Sequence, residues 1–366
     1  MRDFHNIKID NVDARIKLQK DLKKINLEIL NFLSEIIYSE MSELPKEELK
    51  YLIYPWLNFY IFNFFEIYNK IEIKKKYNSR RYKKHPIKSL SDWNCFFENL
   101  NNYTYQKLLE KQIFLIRFKL ENIIKEPEEK INSLFIHKVE HSSIRNLPIK
   151  NVIIRKTKIL FFGSLLRISQ LKYKRNYLLL HSSRLSVLNQ IYLYLRSKGK
   201  IIDATPVIDN FNSTKTFDLL KRSRMLKKLV SLNKFKKKNN FFKTLAISCI
   251  LNLPLSVIEA RSDYLFRTKN LFKFYPKFIF TTTGQYYSET LKYTFIFSKI
   301  FRGKIIIHQH GGGPHYGKLK CSNYEEIENF LSDIYLPWGN SIKKQFSNSN
   351  IKYNMPSIRL SQVASK

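Results

Sequence analysis

Apolar positions recur at helical spacing early in the chain. Ile16, Leu18, Leu22, Ile25, Leu27, Ile29, Leu30 and Leu33 make a stripe among charged residues, which predicts helix over residues 11–76 with a turn at Ser42–Pro45. Tyr51–Ile73 follows as an aromatic-rich helix, and Ser91–Asn94 supplies capping residues for another that runs to Lys125 and is broken by Pro127. From residue 150 the pattern changes. Short β-rich runs (Val152–Arg155, Ile159–Phe162, Tyr177–Leu180, Lys200–Ile202) alternate with helical segments such as Leu185–Arg196. A basic helical or loop stretch, Lys215–Lys243, and a helix through Leu253–Lys269 lead to the most regular part. There Phe278–Thr282 reads as a strand, Tyr286–Phe301 as an amphipathic helix capped by Gly303, and Ile305–His308 as the next strand. An acidic helix (Tyr324–Leu331) and a third strand (Asp333–Pro337) follow. Strand–helix–strand succession implies a parallel sheet with right-handed crossovers. The expected class is therefore α/β: a helical N-terminal region (1–150), a Rossmann-like parallel-sheet domain (151–340) and a short tail (341–366).

Composition narrows the picture. The chain has 366 residues, 44% hydrophobic, with 11 prolines and 9 glycines, which suits a packed globular protein rather than a disordered one. The two most apolar windows are interrupted, Tyr51–Tyr68 by Pro55, Asn58, Asn63 and Glu66, and Phe241–Ile258 by Lys243, Asn252 and Pro254. Neither is expected to cross a membrane, and Tyr51–Tyr68 reads as a buried aromatic helix. The N-terminus lacks an apolar signal core, so a cytoplasmic protein, peripheral at the inner membrane face, is expected. Net charge is +35, which favours polyanions or an anionic bilayer; abundant Lys, Ile, Asn, Phe and Tyr together also fit an AT-rich coding sequence. The run Lys74–Lys84 is either a phosphate or headgroup patch or a solvated linker. Cys95, Cys249 and Cys321 make neither a disulfide set nor a metal-ligand pattern.

The densest candidate chemistry lies in Lys304–Gly317, KIIIHQHGGGPHYG. Four of the nine glycines and three of the eight histidines fall there. Gly311, Gly312 and Gly313 allow several backbone N–H groups to converge on an anion. His310 can serve as general base towards an acceptor hydroxyl or donate to a phosphate. A tight structural turn with surface histidines is the plainer alternative. The stretch is neither GxxxxGK[ST] nor GxGxxG. His308 and His310 share a strand face and could bind zinc with His315, but only Cys321 lies near enough to extend the set, so no metal is expected. Thr282 and Thr283, at a strand end, either contact substrate hydroxyls or cap the next helix. Glu325, Glu326 and Glu328 read as a solvated helix face.

The HQHGGG loop, the acidic helix and Ser332–Asn340 (SDIYLPWGN) resemble the transferases of bacterial surface-polysaccharide and O-antigen loci, with their QHGG-x-YG loop and SD-x-[FY]-L-x-WG strand. Tyr54–Tyr60, Ser91–Asn94, Ala260–Leu265 and Tyr275–Thr282 agree in order. The matching positions are Gln309, His310, Gly311, Gly312, Tyr316, Gly317, Asp333, Trp338 and Gly339. The resemblance implies half of a GT-B-like architecture of two facing Rossmann-type domains. It implies a glycosyltransferase of lipopolysaccharide biosynthesis that moves an activated sugar to a glycan or lipid-linked acceptor, with Gln309 and Tyr316 positioning substrate. No bound cofactor is expected; a nucleotide-activated sugar is the substrate. Two departures stand out: Pro314–His315 lengthens the loop, and only 27 residues follow Gly339 where a second α/β domain is implied. A truncated or split-gene, non-catalytic subunit with a partner chain carrying the donor domain is the alternative. A nucleic-acid partner is not expected, because the aromatics sit in apolar helical runs rather than among the basic clusters.

Overall fold

The computed structural model describes residues 12–73, 87–90, 103–126, 137–140, 149–211, 213–309, 323–337 and 351–352. In chain order the elements begin with α1 (Val12–Glu40), α2 (Lys50–Ile73), β1 (Ile87–Leu90), α3 (Tyr103–Phe118), α4 (Leu120–Lys125) and β2 (His137–Glu140). Next come α5 (Ile149–Tyr173), β3 (Leu178–His181), α6 (Val187–Arg196), β4 (Ile201–Asp203) and α7 (Thr205–Ile208). Then follow α8 (Leu219–Ser231), α9 (Asn233–Lys236), α10 (Asn240–Asn252), α11 (Arg261–Leu271), β5 (Phe278–Thr281), α12 (Gly284–Tyr287) and α13 (Glu289–Ile300). The last described are β6 (Lys304–His308), α14 (Asn323–Leu331), β7 (Ile334–Leu336) and β8 (Ile351–Lys352). The expected class, α/β with a helical N-terminal region, is the class observed.

Two compact units form. The first joins residues 1–142 to the later segment 213–261; the second joins 143–212 to 262–366. In the first, α10 is the centre. Apart from Lys243, every residue from Phe241 to Leu251 is buried, as an all-round apolar helix demands. It packs on α1, α2, α3 and α8. A polar network crosses the interior: Asn252 Nδ2 donates to Gln112 Oε1 (2.6 Å) and to the Tyr60 hydroxyl (3.0 Å), which itself bonds Ser248 Oγ (2.6 Å). Asn26 donates to Asn58 at 2.8 Å. The apolar window at Tyr51–Tyr68 is thus a buried aromatic helix, with Trp56 stacked on Tyr60. No helix among the described residues is long and apolar enough to cross a membrane. The strands β1 and β2, not anticipated from the sequence, pair in parallel.

The second unit is built on a six-stranded sheet of order β4-β3-β5-β6-β7-β8, every neighbouring pair parallel. Leu179, Ile202, Ile279, Ile305, Ile307 and Tyr335 are buried on one face, the period-two pattern of strands. The sheet begins in its interior: from β3 the chain goes outward to β4, then returns to the other side of β3 for β5. That reversal is a topological switch point.

Four local expectations need correction. The helix expected through Leu253–Lys269 starts only at Arg261 (α11), because residues 253–260 form turns around Pro254. Val152–Arg155 and Ile159–Phe162 are not strands but parts of one helix, α5. The β-branched run Val152–Ile154 mimics a strand, yet the buried positions Phe162, Leu166, Ser169 and Gln170 recur at i, i+4, i+7 and i+8, which is helical spacing. The helix expected over Tyr286–Phe301 is divided at Ser288, whose hydroxyl accepts from Leu291 N and caps α13. Glu325 and Glu328 are not solvated but buried, for reasons given below. The Gly303 stop is observed: Arg302 takes φ +61°, Gly303 N bonds Ser298 O at 2.7 Å, and a Cβ there would lie 1.9 Å from Ser298 Oγ.

Candidate functional site

Ligands of open α/β sheets bind beyond the carboxyl ends of the strands, at the switch point. Here that place lies between the ends of β3 and β5. Parallel register sets His181, the last residue of β3, directly beside Thr281, the last of β5. The two loops leaving these strands are tied together, because the Thr282 hydroxyl donates to the Ser182 carbonyl oxygen.

The β3 loop is strained. Ser182 (φ +48°) and Arg184 (φ +64°) both occupy the left-handed region. Among the described residues the other three such, Lys174, Lys198 and Arg302, follow helix ends, where that conformation is ordinary. Ser182 and Arg184 have no such excuse and are held by polar contacts. Ser182 N donates to Thr205 Oγ1 (2.8 Å) and Ser183 Oγ to Asp203 Oδ2 (2.8 Å). The other oxygen of Asp203 accepts from Thr205 N at 3.0 Å. Strain over-determined in this way is a mark of functional loops.

His181 is buried, and its Nε2 pairs with Asp209 Oδ1 at 2.9 Å. Its Nδ1 has no hydrogen-bond partner. Gly284 is what lets the ring sit there: a Cβ on it would lie 2.3 Å from His181 Nδ1 and 2.4 Å from Leu291 Cδ2. Asp209 is partly exposed. Burial alone would raise its carboxyl, but the His181 ring, hydrogen bonds from His181 and Ser288, and the Arg155 charge outweigh it and hold the group below the usual carboxylate range. A lowered folded-state value means stability that is present above the unfolded pKa of about 3.9 and is lost as pH falls through the folded value. Asp209→Asn should therefore flatten the acid limb of the melting midpoint followed from about pH 7 to about pH 3. An unchanged slope would deny the pair that role.

The next strand over, β6, delivers the glycine-rich segment. Its last described residue, Gln309, is fixed twice: its N–H donates to Leu336 O (3.0 Å) and its amide Nε2 to Glu325 Oε1 (2.9 Å). Both side chains are buried. This is why the acidic face of α14 turns inward. Glu325 meets an amide, while Glu328 accepts from the Tyr286 and Tyr335 hydroxyls, each at 3.2 Å. Burial, with the Glu328 charge next in weight, pushes the Tyr286 hydroxyl well above its ordinary value and keeps it a donor.

Of the residues singled out from the sequence, Thr282 and Thr283 lie at the switch point, both buried, and Gln309 lies beyond β6. His310, Gly311, Gly312, Gly313, Tyr316 and Gly317 fall outside the described residues, as do His315 and Cys321 of the zinc candidate; His308 ends β6. Among the described residues no group of His, Cys, Asp and Glu is arranged to hold a metal ion. His181 and Asp209 stand in no recognisable motif of the sequence. The available signal was a histidine closing the first well-formed strand of the sheet.

Comparison with known proteins gives one result. The family model described as LIC12162 family transferase matches residues 3–365. No curated protein and no solved structure matches the chain.

Proposed function

Because the chain belongs to the LIC12162 family of transferases, we propose that it transfers a glycosyl, or similarly activated, group to a surface-polysaccharide or lipid-linked acceptor, as in O-antigen assembly. The observation that carries this reading is the switch-point geometry: Thr281–Gly284 and the strained Ser182–Arg184 loop stand at adjacent strand ends, with the HQHGGG segment leaving the neighbouring strand. Such an edge suits a phosphorylated, hydroxyl-rich substrate, since ligands of open α/β sheets bind at the switch point, where the hydroxyl-bearing Thr282 and Thr283 stand.

In this reading Gly311, Gly312 and Gly313 offer N–H donors to the donor's diphosphate. His310 takes the proton from the acceptor hydroxyl as the glycosyl bond forms and the nucleotide departs. Tyr316, Gly317, Thr282 and Thr283 line the substrate, and Gln309 positions the segment through Glu325. The donor is a nucleotide-activated sugar, and the work is done at the cytoplasmic face of an anionic membrane, where lipid-linked acceptors reside.

Thermal-shift titration against a panel of nucleotide-sugars tests it. A ligand at 100 times its Kd stabilises the native state by about 2.7 kcal/mol, so a clear upward shift with one donor is the expected result. Silence across the panel would overturn donor binding by this chain. A response that appears only with an added partner chain would assign the donor site to that partner.

A further inference from the structure

We propose that the β4 edge of the sheet, with the helices α5 and α6 that flank it, docks on an anionic lipid bilayer. This deepens the reading above by naming the surface that would hold the enzyme beside a lipid-linked acceptor.

Charge is the first observation. From residue 141 to residue 202 the chain has thirteen lysines and arginines and no aspartate or glutamate. A compositional bias towards lysine raises the cations but does not by itself empty 62 residues of carboxylates, when 30 are spread over the chain. The next two carboxylates, Asp203 and Asp209, are engaged by Ser183 and His181.

Exposed apolar side chains occupy the same segment. The crossover helix α6 has no buried residue. Leu188 is 78% exposed, Leu195 67% and Tyr192 63%. On α5, Leu160 is 72% exposed and Leu171 65%. Ile153, Leu160, Arg167 and Leu171 fall at i, i+7, i+14 and i+18, one line along that helix. Scattered exposed leucines need no explanation, but two stripes on neighbouring helices do.

Both helices pack on β4. Their far ends are joined: the Tyr173 hydroxyl that closes α5 donates to the Lys198 carbonyl beyond α6, and the Lys200 ammonium lies over the Tyr173 ring. The stripes therefore flank one sheet edge. Arg155, Lys156, Arg167, Arg196, Lys198 and Lys200 are exposed among them. Leucine and tyrosine side chains with lysine and arginine on the same helices are what an interfacial, non-spanning surface requires: apolar groups enter the acyl boundary while cations stay at the headgroups. A protein partner would accept the leucines, but an anionic bilayer also exploits the cation field, where the nearby carboxylate Asp209 acts on Arg155 but is already engaged by His181.

Flotation of the full chain with phosphatidylglycerol-containing vesicles, against pure phosphatidylcholine, is the test, and it needs no sugar donor. Wild type should bind the anionic vesicles and be released by raising salt from about 0.1 M to about 1 M. Leu188→Glu with Leu195→Glu should weaken binding about tenfold or more, and Lys156→Glu with Lys198→Glu likewise. These sites are exposed, so the melting midpoint should hold, which separates lost docking from lost folding. Equal affinity for both vesicle types, or binding unaffected by either pair, would overturn the proposal. So would a dimer that the leucine substitutions dissociate while vesicle binding persists, because the face would then belong to a second copy. Vesicle binding without any nucleotide-sugar response would leave this surface standing and remove the transfer reading instead.

Discussion

Replacing Arg222 with leucine should cost the helical unit about 3–5 kcal/mol, the penalty for breaking a buried ion pair from one side. The guanidinium is fully buried, and all five of its donors are used. Nε and Nη2 grip the two oxygens of Glu259 at 2.7 and 2.8 Å. Nη1 donates to the carbonyls of Ile250 and Leu251, and Nη2 also to that of Leu253. Those carbonyls belong to the last turn and exit of α10, which would otherwise end inside the protein with its acceptors unmatched. Leucine would strand the carbonyls and leave the Glu259 carboxylate, itself buried, with only the backbone N–H of Asp218 at 3.2 Å among these contacts. Lysine should rescue little, because a three-donor point charge cannot reproduce the fork. The double variant Arg222→Leu/Glu259→Leu should recover part of the loss, since it removes the orphaned charge. At roughly 2–4 °C per kcal/mol the single variant should melt on the order of 10 °C lower. A shift of only a degree or two, read by calorimetry, would mean that water replaces the guanidinium and that the end of α10 is open.

Elements were legible where local pattern and tertiary demand agreed. The strands at 278, 304 and 334 are short apolar runs between turn residues, and the observed strands start within a residue or so of their expected places. At α5 the two disagreed. Three β-branched residues suggested a strand, whereas the positions that need burial recur with helical period, and packing of Phe162, Leu166 and Gln170 decided the outcome. Glu325 and Glu328 show a second limit: charge alone signals solvent, and only the partners, a glutamine amide and two tyrosine hydroxyls, make burial tolerable. His181 and Asp209 show a third. Their meeting with Thr281 and Gly284 comes from strand order and register, and no spacing rule in one sequence contains that information. Asp333, part of the resemblance motif, also gains a physical reason. Its carboxylate accepts from Ile305 N at 2.8 Å and pairs with Lys299 at 2.7 Å, locking the start of β6 against the start of β7, at the edge opposite the candidate site.

Converting His310 to alanine should lower the transfer rate by about 10²–10⁴, the usual contribution of a positioned general base. The fold should survive, because the residue just before it is anchored independently by the Leu336 carbonyl and by Glu325. Gln309→Ala provides the contrast. It removes the 2.9 Å amide contact to a buried carboxylate, so it should lower both the melting midpoint and the rate. A base also has a pH signature that a structural histidine lacks. The rate of the native enzyme should rise with pH through the imidazole range, near pH 6.5, and that limb should vanish in the alanine variant. Turnover that is unchanged in His310→Ala, or reduced only in proportion to lost folded protein, would take the base away from the glycine-rich segment. Attention would then pass to Asp209, the partly exposed carboxylate that His181 and Ser288 already hold ionised at the switch point.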